Sequence, residues 1–247
     1  MKIKNILVSQ PKPADLEKSP YKNLAKKFNL NIDFHKFITI QDVESKELRK
    51  KRISITDYSA VILTSRNAID HYFRVCKELR VEVPDTTKYF CVSESVAYYL
   101  QKYVQYRKRK IFFGKHNFAD LLEIIKKHKE ERFILPCSDI HKKSISKSLK
   151  DNKINFDQVV FYKTVATDIS NIAIDKYDII IFFSPAGVKS LFKNFPEYKQ
   201  NSTLIAAFGP TTAKAITSSG LSLDIKAPTK TAPSMAMAIE QFLLKKK

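Results

Sequence analysis

An internal repeat constrains this chain more than any other feature. Asp57 to Phe73 reads D-Y-S-A-V-I-L-T-S-R-N-A-I-D-H-Y-F, and Lys176 to Phe192 reads K-Y-D-I-I-I-F-F-S-P-A-G-V-K-S-L-F: an apolar strand, a serine, then a helix. Ser65 and Ser184 stand 119 residues apart. A second pair, Tyr89 to Leu100 and Ile205 to Ile216, is offset by 116, and a third, Ile6 to Gln10 and Ile134 to Ser138, by 128. Duplication of a whole α/β unit is the simplest reading of such a pattern. A chain of 247 residues has room for two lobes of about 120 each, near the common domain size.

Short apolar runs alternate with amphipathic stretches almost throughout, the pattern of parallel βαβ units. Strands are expected over Asn5 to Val8, Ile32 to Thr39, Ala60 to Leu63, Lys88 to Val92, Lys110 to Phe113, Phe133 to Leu135, Phe156 to Lys163, Asp178 to Phe183, Thr203 to Phe208 and Leu223 to Ala227. Helices are expected over Asn67 to Lys77, Ala119 to His128, Lys143 to Lys150, Thr211 to Ser218 and Met235 to Leu244, among others. These ten strands divide into five per lobe, giving an α/β fold of two five-stranded parallel sheets with flanking helices. Continuous apolar runs such as Ile179-Ile180-Ile181-Phe182-Phe183 suit strands covered on both faces. Phe34-His35-Lys36-Phe37-Ile38 and Phe161-Tyr162-Lys163-Thr164-Val165 end matching units and read as crossover strands near 34–40 and 160–165. The lobes are then discontinuous: residues 1–37 with 165–247 form one, residues 41–160 are inserted as the other, and the crossovers make a hinge beside a cleft.

The formal charge of +19 favours an anionic partner. Its densest cluster, Lys102-Tyr103-Val104-Gln105-Tyr106-Arg107-Lys108-Arg109-Lys110, mixes basic and aromatic residues as single-strand nucleic-acid sites do. No helix-turn-helix or RNP signature accompanies it, so a solvated helix end running into the strand Ile111 to Phe113 is the preferred reading, and nucleic acid is not an expected partner. Other lysines, including Lys245-Lys246-Lys247, read as cover for exposed faces. No apolar run approaches the ~18 residues of a membrane span, and Met1-Lys2-Ile3-Lys4 leads straight into a strand pattern, so neither a membrane anchor nor a signal peptide is expected. Cys76, Cys91 and Cys137 are odd in number and far apart, which provides no disulfide framework and fits a reducing cytoplasm.

In a parallel α/β sheet, ligands bind beyond the carboxyl ends of the strands, and the repeated motifs fall there. Ser65 and Ser184 can each cap the following helix, and Pro185 suits a first helical position because it has no N–H to leave unpaired. Gly209-Pro210-Thr211-Thr212 repeats the arrangement with a tight turn, a helix start and two threonine hydroxyls toward the opening, and Ser93-Glu94-Ser95 is a weaker copy. Free amides at such turns attract carboxylates or phosphates, although the same residues also suffice as helix caps alone. Both readings stand at this point. Glycine occurs only at 114, 187, 209 and 220, so neither G-x-G-x-x-G nor a P-loop can be written. His35, His71, His116, His128 and His141 show no metal spacing and no nucleophile elbow appears, so no metal and no cofactor is expected.

I-L-V-S-Q-P at 6 to 11, V-I-L-T-S-R-N-A-I at 61 to 69, V-V-F-Y-K-T at 159 to 164, I-F-F-S-P-A-G-V at 181 to 188 and I-A-A-F-G-P-T-T-A-K-A-I at 205 to 216 together resemble the uroporphyrinogen-III synthases, the cyclases of the tetrapyrrole pathway. The resemblance spans nearly the whole chain. It implies two flavodoxin-like lobes joined by a pair of strands and a cofactor-free reaction on hydroxymethylbilane, a linear tetrapyrrole with acetate and propionate groups. Water leaves the hydroxymethyl end, the last ring inverts through a spiro intermediate, and the macrocycle closes as uroporphyrinogen III. The chain departs from the family at Gln10, where arginine is common, and at Ser93 and Val96, where glycine and threonine are.

On this reading Tyr162 is the candidate catalytic residue, a proton donor to the departing hydroxyl; otherwise it is a packed strand tyrosine. Candidate substrate contacts are Ser65, Arg66, Asn67, Ser95, Ser138, Ser184, Pro185, Ala186, Gly209, Pro210, Thr211 and Thr212. Arg66 either pairs with a carboxylate or lies on the surface. A monomer is expected, with at most transient contact with the preceding pathway enzyme. The competing reading is a non-catalytic two-lobed binding protein for an anionic small molecule.

Overall fold

The structure, a computed structural model, describes residues 3–115 and 117–245; Met1, Lys2, His116, Lys246 and Lys247 lie outside them. The chain divides into two compact units, the first comprising Met1–Thr39 and Val165–Lys247 and the second Ile40–Thr164. The first unit holds β1 (Asn5–Val8), α1 (Pro20–Phe28) and β2 (Asn31–Phe34). The chain then runs through β3 (Ile38–Asp42), α2 (Ser45–Lys50), β4 (Ala60–Leu63), α3 (Arg66–Leu79), β5 (Lys88–Cys91), α4 (Glu94–Leu100), β6 (Ile111–Phe113), α5 (Phe118–Ile125), β7 (Phe133–Ser138), α6 (Lys143–Asp151) and β8 (Phe156–Ala166). It returns to the first unit with β9 (Ile179–Phe182), α7 (Pro185–Asn194), β10 (Leu204–Phe208), α8 (Pro210–Ser218), β11 (Ile225–Ala227) and α9 (Met235–Lys245).

Both sheets are buried on two faces, and side-chain alternation assigns the residues. In the first unit Leu7, Ile180, Phe182, Ile205 and Ala207 pack with Val188 and Leu191 of α7 and Ile216 of α8. Their neighbours Ile6, Val8, Ile179, Ile181 and Ala206 turn to the other face, against Leu24 of α1 and Met235, Ile239 and Leu243 of α9. In the second unit Val61, Leu63, Tyr89, Cys91 and Ile134 meet Ile69, Tyr72 and Val75 of α3. Ala60, Ile62, Phe90, Phe133 and Leu135 meet Leu121, Leu122 and Ile125 of α5 and Leu149 of α6.

The first sheet runs β2-β1-β9-β10-β11 with every pairing parallel. Counted along the chain within its unit, that order is 2-1-3-4-5. The second runs β3-β8-β7-β4-β5-β6 and gives the same order once β3 is set aside and β7 is counted first. The repeat pairs match this superposition, with β1 equivalent to β7, β9 to β4 and β10 to β5. All three offsets run in one direction along the chain, which is the mark of tandem duplication. Yet β1 and β2 pair with the β9–β11 set of the second copy, and β7 and β8 with the β4–β6 set of the first. The two copies have exchanged halves, and this exchange makes the first unit discontinuous.

Two expectations need correction. The second sheet has six strands, not five, and is mixed: Val43 N–H donates to the Phe161 carbonyl while Thr167 N–H donates to that of Phe37, so β3 lies antiparallel to β8. The single strand expected over Ile32 to Thr39 is in fact β2 and β3, broken at residues 35–37. One apolar stretch serves two sheets, and residue periodicity carries no record of where a strand changes partner. The helices α1 and α2 are additional to those named from the sequence. α1 opens on Ser19-Pro20, the same serine-proline start as α7, with the Ser19 hydroxyl accepting from Tyr21 N–H at 3.4 Å.

Candidate active site

The turns that follow β9, β10, β4 and β5 differ in how they are built. After β9, Ser184 Oγ accepts from Gly187 N–H at 3.1 Å and Pro185 occupies the first helical position. Ala186 follows it, half-buried. After β10, Gly209 has φ 87° and ψ 152°, a conformation essentially restricted to glycine, and Pro210 starts α8 with no side-chain cap. Thr211 is exposed but Thr212 is 1% exposed, so only the first of the two hydroxyls expected to face outward does so.

In the second unit Ser65 Oγ accepts from Ala68 N–H at 3.1 Å and caps α3. Arg66 and Asn67 are exposed, and the Arg66 guanidinium lies 5.3 Å from the centroid of the Tyr99 ring. Ser93 precedes α4 without capping it; its hydroxyl faces that of exposed Ser95 at 3.0 Å. Ser138, 7% exposed, ends β7 and is consumed by a local network. Its Oγ donates to Asp139 Oδ1 at 2.8 Å, lies 3.2 Å from Thr164 Oγ1 and accepts from Ile140 N–H at 3.2 Å.

A cavity of about 510 Å³ within the second unit gathers Ser65, Ser138 and Tyr162, three of the residues singled out from the sequence. Arg66, Asn67 and Ser95 do not line it. Tyr162 owes its place to an irregularity in β8. Cys137 is registered with Val160 but Ser138 with Tyr162, so Phe161 is an extra residue in the ladder. Such a bulge re-aims the side chains beyond it. Phe161 is wholly buried, and Tyr162, 7% exposed, packs in the same cluster on the α3 face instead of on the opposite one. Its hydroxyl lies 3.4 Å from Ser65 Oγ, where either group can donate. Burial pushes the Tyr162 phenol above its ordinary value, with the Ser65 contact opposing. The phenol keeps its proton at neutral pH, as an ordinary tyrosine does, and burial holds it there more firmly.

The cavity also contains residues that sequence reasoning missed. His141 Nδ1 lies 2.9 Å from the Ser138 carbonyl and so donates to it, which leaves Nε2 to accept from Gln158 Nε2 at 2.5 Å. Lys142 and Asn117 bring a cation and an amide to the rim. The strand β7 extends to Ser138, three residues past the expected end, so the turn it opens begins later than assumed. The signal was an apolar run followed by Ser138-Asp139, the same strand-then-serine pattern as at Ser65.

Elsewhere in this unit His128, Glu130 and Glu131 converge with ligand atoms within 4.8 Å of one another. The Lys88 ammonium sits 2.5 Å from Glu131 and 3.9 Å from Glu130, supplying the positive charge itself. Among the described residues no helix is long and apolar enough to cross a membrane.

Comparison with known proteins bears on this arrangement. The family model for uroporphyrinogen-III synthase HemD matches residues 20–237. Of the solved structures, uroporphyrinogen-III synthetase from Helicobacter pylori is similar with a TM-score of 0.63 at 18% identity, over 98% of this chain and 100% of that one. A mutant uroporphyrinogen III synthase from Thermus thermophilus is similar with a TM-score of 0.58 at 14% identity, over 98% and 99%. At these identities the two structures speak for the fold. No curated protein matches.

Proposed function

We propose, on the premise that this chain belongs to the uroporphyrinogen-III synthase HemD family, that the cavity of the second unit receives the reacting end of the substrate. The protein is a lyase of tetrapyrrole and heme biosynthesis. It cyclises hydroxymethylbilane to uroporphyrinogen III with loss of water and inversion of the last pyrrole ring. The pyrroles supply the electron push, so the protein's work is to hold a flexible chain in one ring-closing conformation and to protonate the leaving group.

Tyr162 is the proposed donor. Its phenol is held protonated by burial, borders the cavity and has Ser65 as a hydrogen-bonding neighbour. As the hydroxymethyl C–O bond breaks, the Tyr162 proton passes to the departing oxygen, which leaves as water. The phenolate so formed recovers a proton when the pyrrole carbon that closes the ring loses one. That one buried phenol at a bulged strand is the observation that carries this reading. Carboxylate contacts are proposed for Ser184, Ala186, Thr211 and Thr212 in the first unit and for Ser65, Arg66, Asn67, Ser95 and Ser138 in the second, mainly through the amides at helix starts, while Pro185, Pro210 and Gly209, with no free N–H, shape the two first-unit turns.

The finer description of the fold that fits this family is two flavodoxin-like lobes, for which the order 2-1-3-4-5 in each unit is the support. Three free, buried cysteines support a reducing, cytoplasmic setting, and a monomer in transient contact with the enzyme that supplies its substrate is the proposed working state. Purified protein given freshly prepared hydroxymethylbilane should yield the type III isomer. If only the spontaneous type I product forms, the enzyme reading fails and a binding protein for anionic tetrapyrroles takes its place.

A further inference from the structure

The proposed donor is held by more than its own strand. His71 of α3 stacks on the Tyr162 ring with centroids 4.6 Å apart and planes 19° from parallel. The imidazole is itself held at Nδ1 by two neighbours. Its Nδ1 meets Asp42 Oδ1, at the end of β3, at 3.1 Å and Arg74 Nε, one turn along α3, at 3.3 Å: the nitrogen accepts from Arg74 when bare and donates to Asp42 when it carries the proton, and Arg74 Nε and Asp42 Oδ1 are themselves 3.4 Å apart. Arg74 goes on to hold the bulge, its Nη2 donating to the Phe161 carbonyl at 3.0 Å and to that of Val43 at 3.1 Å. One face of α3 therefore grips both the backbone of the extra residue and the ring of the residue after it. Past the bulge the ladder fixes the Tyr162 backbone, whose carbonyl accepts from Asp139 N–H at 3.2 Å, and the stacked imidazole bears on the ring itself.

We infer that His71 is a positioning residue for Tyr162, keeping the phenol aimed at the Ser65 hydroxyl and the cavity through the face of its ring. This rests on the reading of Tyr162 as the proton donor. The imidazole touches neither the cavity nor the reacting atoms, so it acts through orientation alone. A misplacement of about 1 Å can cost as much as ~10²-fold in rate, and loss of one stacking face should cost about tenfold.

The test is a double-mutant cycle on the full chain, with type III product formation as readout and circular dichroism and thermal melting as controls for folding. His71→Ala should lower kcat about tenfold with KM changed less than about twofold, because aim is lost and binding is not. His71→Phe, which keeps a flat ring against Tyr162 but cannot titrate or hydrogen-bond, should recover kcat to within about threefold of the original. In a Tyr162→Phe background His71→Ala should have no further effect. The inference is overturned if His71→Ala costs the same factor in both backgrounds, or if folded His71→Phe is as impaired as the alanine variant. Should His71→Ala fail to fold, His71→Phe alone decides. Full activity in Tyr162→Phe removes the donor assignment and this inference with it, whereas impairment in Tyr162→Phe with additivity at His71 removes the positioning role only.

Discussion

The two units use one winding order for different purposes, and their equivalent turns show where they part. In the first unit the turns after β9 and β10 carry serine-proline and glycine-proline starts with backbone amides at the helix ends and no acidic residue in the first turn of either helix. In the second unit the serine after β4 is shared between a helix cap and the Tyr162 hydroxyl, and the turn after β5 brings Glu94 into the first turn of α4 with no side-chain cap. Repulsion from that carboxylate makes the β5 turn the poorest anion site of the four. The equivalent of His71 in the first unit is Ser190, 119 residues on, which donates to the Phe37 carbonyl and has no ring to stack. The two units thus differ in kind: amide-lined turns at the helix starts of the first, and a buried phenol beside a shared serine in the second.

Replacing the proposed donor should separate the units most. Tyr162→Phe is expected to lower kcat by ~10²- to 10⁴-fold with little change in melting temperature, measured by isomer-resolved product assay. Equal losses of KM and kcat from any first-unit turn would blur the division.

Next comes Gly209, whose φ of 87° and ψ of 152° leave no atom within 4 Å of an added Cβ. Gly209→Ala therefore meets no clash, only backbone strain, and should cost about 1–3 kcal/mol in denaturant unfolding. A neutral outcome would mean the turn relaxes at no expense.

The caps sharpen the comparison further. Ser65→Ala and Ser184→Ala should each lose about 1 kcal/mol of stability, while Ser93→Ala, with no cap bond to lose, should stay within about 0.5 kcal/mol. Only Ser65→Ala should also depress kcat, because only Ser65 meets Tyr162; Ser184→Ala should instead raise KM.

The smallest effect is in pH dependence. Burial lowers the His71 value, with Arg74 adding to the fall and Asp42 and Asp70 opposing it. Below its ordinary value of about 6.5 the unfolded chain takes up a proton that the folded one resists. Stability should therefore fall as the pH drops through about 6.5 toward the lower folded value, a slope that thermal melting of His71→Phe should show flattened. An unchanged slope would mean that another group sets it.

Much of the architecture was legible from local pattern. Ile179-Ile180-Ile181-Phe182-Phe183 announces a doubly covered strand, Ser184-Pro185 a capped helix start, and the three repeat pairs a duplication, because each of these is a property of neighbouring residues. Ser65 and Ser138 were legible as candidates for the same reason, standing just beyond or at strand ends, whereas Tyr162, inside β8, was legible only through the resemblance carried by V-V-F-Y-K-T at 159 to 164. His71, His141 and Gln158 were not, since nothing near them in sequence says what they touch.

What the amino-acid order determined by itself is therefore the parts: which stretches are strands or helices, where they start, and that the set occurs twice. What only the tertiary structure decided is their partners. It joined β1 and β2 to the β9–β11 set, split residues 32–39 between two sheets, and inserted Phe161 as a bulge that turns Tyr162 toward Ser65 beneath His71. Strand and helix periods arise from contacts a few residues apart and are written in the chain. Pairing, register and ring stacking are settled by competition among segments as far apart in sequence as β1 and β9, and only the assembled fold records which segment won.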